Sequence, residues 1–294
     1  MTNKHKPSNR AGFLLPLFYV VTPIIVAMRS FACIRYMDEF GYFGGSALMI
    51  AANVAAALFT LVFFTHALSH HRKDSVPKES FLNRATYITS AVLGTAIAFA
   101  IYETVSLRII VGGSINHISG TDYIYVITAL LGAAALVFIV LNALIEAMHS
   151  RLRAAFGILT ALFFAMYAVC MYLDGSVAAN MQQRTITVLA MAMGAVFFLY
   201  ETRIPLGHPR WHSYVAFGLM ASLLLFYSSA PALIYYGVSG ALIPGSSAAE
   251  LGVAATLAIY TATRVTLLAF APEDEVCDLA DSIMDMEHKR NSKN

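Results

Sequence analysis

Seven ionisable side chains stand within or at the edges of long apolar runs: Arg29, His66, Glu103, Arg108, Glu146, Glu201 and Arg264. A charge in hydrocarbon is costly, so each such residue is expected to be paired, hydrated or put to use. Carboxylates and guanidinium groups at matched depth can hold an ion or a charged solute. His66 changes its charge near neutrality, and beside Glu146 or Glu201 it could pass a proton as an acid–base pair. The plainer alternative is anchoring, because long cationic side chains near a helix end reach back to water.

The candidates form two groups. Toward one face lie His66, Asn142 with Glu146, Glu201 with Arg203, and Arg264. Phe138 precedes Asn142, Phe197 precedes Glu201 and Tyr260 precedes Arg264 by one helical turn each. That spacing puts an aromatic ring and a polar group on the same helix face. Glu146 or Glu201 is expected to pair with Arg264. Toward the other face lie Arg29, Arg35, Asp38, Glu39, Glu103, Arg108 and Asp174. Arg29 and Glu103 are the deepest of these, and their opposite charges in the first and third spans predict mutual neutralisation. Glu103 is the leading functional candidate. Tyr102-Glu103-Thr104 and Tyr200-Glu201-Thr202 repeat a tripeptide in two helices of opposite direction.

The elements that carry these residues follow from composition. Only 12% of the 294 residues are charged, against about 25% in soluble domains. Mean hydropathy is +0.68. Crossing a bilayer core of about 30 Å takes roughly 20 helical residues. Eight runs qualify: 12–33, 42–68, 85–111, 123–145, 154–173, 185–200, 213–236 and 248–270. The sixth is short but extends to Met181 and Thr202. Helix is the form expected, because open strands leave backbone groups unpaired in lipid. The first run follows Lys4, Lys6 and Arg10 like a signal peptide, but lacks a clean cleavage site and reads as an uncleaved span.

Eight spans place fifteen of the nineteen Lys and Arg residues on one face, leaving Arg29, Arg35, Arg108 and Arg184 on the other. Basic loops stay in the cytoplasm during insertion, so both termini are expected there. The fold class is therefore an all-α integral membrane protein: eight transmembrane helices in four tandem hairpins, N-in and C-in. Residues 1–11 form a cytoplasmic segment, 12–270 the membrane domain and 271–294 an acidic tail. Short loops and the lack of organelle signals point to a bacterial cytoplasmic membrane.

Even-numbered spans are rich in small residues, such as Ala51, Ala52, Ala55 and Ala56 in the second. Odd-numbered ones carry aromatics, such as Phe156, Phe163, Phe164 and Tyr167 in the fifth. Small residues allow close helix approach, so even spans are expected at the centre and odd ones at the periphery. Pro16 and Pro23 in the first span and Pro231 in the seventh are expected to kink their helices. In the tail, Val276, Leu279, Ile283 and Met286 make one apolar helical stripe among acids, a surface a cytoplasmic protein partner could use.

Several classes are excluded. The small net charge of +2 and scattered basic residues argue against nucleic acid. Cys33, Cys170 and Cys277 match no zinc, haem or CxxC spacing, and no cofactor or metal is expected. No P-loop, HExxH or GxSxG motif occurs. The leading expectation is a non-enzymatic transporter of a small solute or ion. A scaffold or sensor working through the tail is the first alternative. An intramembrane lipid-modifying enzyme using His66 with Glu146 or Glu201 is the second.

Overall fold

The computed structural model describes residues 12–43, 46–69, 84–106, 120–144, 150–174, 181–204, 206 and 210–270, with the backbone alone at 69, 120, 121, 140–144 and 150. The eight apolar runs form eight helices: α1 Leu14–Tyr36, α2 Ala47–Ser69, α3 Arg84–Glu103, α4 Gly120–Leu144, α5 Ser150–Leu173, α6 Gln182–Glu201, α7 Trp211–Ser239 and α8 Ala248–Ala269. Each is long and apolar enough to cross a membrane. The described residues contain no strand, only an isolated bridge between Met37 and Phe43. Large apolar side chains such as Val20, Ile24, Leu58 and Leu130 are exposed on the outside of the bundle, as lipid contact requires.

Local chemistry sets the helix ends. α6 runs between Met181 and Thr202, the limits expected of it. α3 gives way after Glu103 to a π-helical turn at 104–106, and the rest of the run expected to reach 111 lies outside the described residues. Of the prolines, Pro23 and Pro231 lie inside their helices. Pro16 falls in the first turn of α1, where a missing N–H disturbs no helical bond.

Packing closes six helices into a ring. α3 packs on α4, α4 on α5, α5 on α6, α6 on α7, α7 on α8, and α8 back on α3. α1 and α2 pack on each other and on α7. The expected division into central even and peripheral odd spans is therefore wrong. α7 is the most deeply buried span, and α2, α3 and α4 are the least. Alanine does mark close contact, since Ala52 and Ala56 bury against Ile25 and Tyr227. It marks one face of α2, however, and not a central position for the whole helix.

Glycine supplies the closest approach in the ring. A Cβ at Gly218 of α7 would lie 2.4 Å from Val265 Cγ2 of α8 and 3.2 Å from the Phe197 ring of α6. Val265 is branched at Cβ and cannot swing aside. Gly218→Ala is expected to cost about 1–3 kcal/mol through overpacking. Thermal unfolding of the detergent-purified protein measures it, and an unchanged midpoint would contradict the packing.

Candidate functional site

At the end of the ring where α3, α5 and α7 stop and α4, α6 and α8 begin, a partly open cavity of about 240 Å³ occupies the axis. Glu103 and Thr104 line it from α3 and the π-helical turn, and Tyr125 from α4. Tyr167, Cys170, Met171 and Asp174 come from α5 and its end, with Ser247 and Glu250 from the start of α8. A smaller void beside it adds Arg184 and Thr187 of α6. Five ring helices thus contribute to a space holding three carboxylates and two phenols.

The start of α8 organises the acids. The Ser247 side chain accepts from the Glu250 N–H at 3.1 Å while the Glu250 carboxylate accepts from the Ser247 N–H at 3.0 Å, a reciprocal cap on the helix. The Ser247 hydroxyl in turn donates to Glu103 Oε2 at 3.2 Å. Asp174 and Glu103 both lie within electrostatic reach of Glu250, as does Arg184. The guanidinium of Arg184 donates to the carbonyls of Met171 and Tyr172, satisfying the C-terminal end of α5. The positive end of the α8 dipole offsets part of the negative charge, and the cavity keeps an acidic lining.

Below the cavity the axis is filled with rings. Tyr167 stacks on Phe163 at 5.6 Å, and Phe163 meets Phe164 edge-on at 5.0 Å. Phe164 stacks on Phe198 at 5.2 Å, and Phe198 on Tyr260 at 5.8 Å. This column ends at a buried ion pair. Arg264 donates through Nε and Nη2 to Glu201 Oε1 at 3.0 and 2.6 Å, and the Tyr214 hydroxyl donates to Glu201 Oε2 at 2.7 Å. Arg264 and Glu201 are 1% and 2% exposed, so water does not share the load.

No known protein family, curated protein or solved structure matches this chain. Its function must be read from its own geometry.

The expected residues scatter among three places. Glu103 stands in the cavity. Glu201 and Arg264 make the expected ion pair at the opposite end, so the repeated Tyr-Glu-Thr tripeptides sit at the two ends of the bundle. Arg29 does not pair with Glu103, contrary to expectation. α1 packs on α7 and α2 whereas α3 packs on α4 and α8, and Arg29 donates to Gln183 Oε1 of α6 at 2.8 Å. His66 lies against the rings of Phe13 and His212. Glu201 accepts from Arg264 and Tyr214. Arg108, Glu146 and the tail from 271 lie outside the described residues, as does the side chain of Asn142.

Some residues of the site escaped the sequence reading. Glu250 had a visible signal, the Ser247-x-x-Glu250 pattern that caps a helix. Tyr167, Phe163 and Phe164 were read as peripheral because an aromatic ring suits lipid and a helix interface equally well. Gln183, Tyr214 and Tyr227 carry no local pattern that separates them from other polar residues near span ends.

Proposed function

We propose that the chain is a transporter of a small cationic solute, held in a bacterial cytoplasmic membrane as four tandem hairpins with both termini in the cytoplasm. In this orientation the cavity faces outward. The basic residues on the connectors and termini support that sense, because fifteen of nineteen fall on the opposite face. The observation that carries the reading is the axial cavity with Glu103, Asp174 and Glu250 around Tyr125 and Tyr167, stopped below by the aromatic column. Carboxylates attract a cation, and phenol faces bind its charge without desolvating a metal shell. Among the described residues no three His, Cys, Asp or Glu side chains converge as metal ligands, which favours an organic cation. A volume of about 240 Å³ lies below that of drug-sized pockets and fits a small amine. The dry column and buried ion pair form the closed side of an alternating-access cycle, and Pro23 inside α1 and Pro231 inside α7 supply its bending points.

Glu103 tests this best, because it lies outside the α8 cap. The purified protein is expected to be stabilised against heat by 1,4-diaminobutane and by tetramethylammonium, but not by glycine or malonate. Radiolabelled diaminobutane is expected to accumulate in proteoliposomes. Glu103→Gln keeps the shape and removes the charge, and should weaken the response about tenfold, as loss of one charge-assisted contact implies. Equal responses to cations and glycine, or full retention in Glu103→Gln, would end the cation reading.

A further inference from the structure

Arg29 is wholly buried between α1, α6 and α7. Its Nη2 donates to Gln183 Oε1 at 2.8 Å and its guanidinium lies over the Tyr227 ring, 4.4 Å from the centroid. Nε and Nη1 have no hydrogen-bond partner among the described residues. A guanidinium stays protonated at every physiological pH, and a buried charge with unused donors is among the costliest arrangements a protein can hold.

The surroundings fix this group without neutralising it. Gln183 donates from Nε2 to the Ser228 carbonyl at 2.8 Å and to Thr187 Oγ1 at 3.4 Å, so its oxygen must face Arg29. The Tyr227 hydroxyl donates to Asn53 Oδ1. Cys33 adds a thiol one turn along α1. A carboxamide, a phenol and a thiol bring no carboxylate charge. Among the described residues Arg29 has no carboxylate within 4.0 Å, unlike Arg264, which pairs with Glu201. The stretches 44–45, 107–119 and 175–180, which join helix ends on this side, contain no Asp or Glu.

We propose that Arg29 is the centre of a binding site for a small monovalent inorganic anion, of the size of chloride, held by Nε and Nη1. The side chains close over Arg29 completely, which selects a compact ion over an organic acid. Through Gln183 the site is one hydrogen-bonded step from Thr187, which lines the smaller void beside Glu250. The anion would therefore lie beside the acidic cavity, and the site stands whether or not the cavity takes a cation.

The test is thermal unfolding of the full-length protein in detergent, with sodium chloride replaced by sodium gluconate at constant ionic strength. Chloride and bromide are expected to raise the midpoint saturably, by roughly 5 °C or more far above half-saturation. Arg29→Met should lose the response. Arg203→Gln should keep it, because that guanidinium lies over Tyr200 at the other end of the bundle. Equal midpoints in chloride and gluconate, or an undiminished response in Arg29→Met, would overturn the site. Should Arg29→Met fail to fold, anomalous diffraction from wild-type crystals in bromide decides the matter. A peak against Nε or Nη1 supports the site, and a guanidinium contacted there only by protein or water refutes it.

Discussion

Arg264→Met is expected to lower stability by about 3–5 kcal/mol, because it strands the Glu201 carboxylate in a place water does not reach. Glu201 is 2% exposed, and among the described residues its oxygens accept from Arg264 and Tyr214. Without the guanidinium, one oxygen keeps a phenol donor and the other loses both of the donors it has from Arg264. The double variant Glu201→Gln/Arg264→Met should recover most of the loss, since the amide oxygen still accepts from Tyr214 and no charge remains. Replacing a whole buried pair by neutral groups of similar volume is often neutral or stabilising, whereas breaking it is not. Thermal or denaturant unfolding of the two variants separates these outcomes. A double variant as unstable as Arg264→Met would mean that Arg264 acts mainly through contacts other than Glu201.

That pair was legible in the sequence, and the reason is instructive. Glu201 and Arg264 each lie near the same end of a span, and each follows an aromatic residue by one turn. Depth and face were therefore both specified, and α6 and α8 flank the same neighbour, α7, in the ring. Arg29 and Glu103 also shared a depth, yet depth says nothing about position around the bundle axis. The contact that closes the ring, α8 on α3, joins segments more than a hundred residues apart and leaves no local periodicity to read. Span number and limits were legible because hydrocarbon thickness dictates length. The π-helical turn after Glu103 is a feature that hydropathy does not register and that often marks functional sites.

The candidate cavity was half legible. Glu103 stood out through the cost of a charge in lipid, whereas Glu250 was passed over although the cap it completes with Ser247 leaves a pattern in the sequence. Tyr125 and Tyr167 were invisible as site residues, because which way a phenol faces depends on neighbours that sequence order does not reveal. The small-residue pattern misled for a related reason. Ala52 and Ala56 are buried while Ala51, on the next face of the same helix, is exposed, so composition described α2 without locating it.

Phe198→Ala is expected to combine a stability loss of about 3–5 kcal/mol with a change in what passes through the ring. Phe198 is fully buried and stacks between Phe164 and Tyr260, with Phe138 and Phe197 edge-on to it. Truncation removes the middle of the column that separates the acidic cavity from the Glu201–Arg264 layer. Lipid cannot fill that gap, since the ring helices enclose it. If the column is the closed side of a transport pathway, Phe198→Ala proteoliposomes should leak small cations down their gradient, and Phe198→Leu, which restores most of the volume, should not. A comparable stability term is expected in Leu93→Ala, a fully buried residue of α3, which gives no ring to the column, so the comparison of leak with unfolding separates plugging from packing. A destabilised Phe198→Ala that passes no more 1,4-diaminobutane down its gradient than the wild type does would show that the rings hold the fold together and do not bar a pathway.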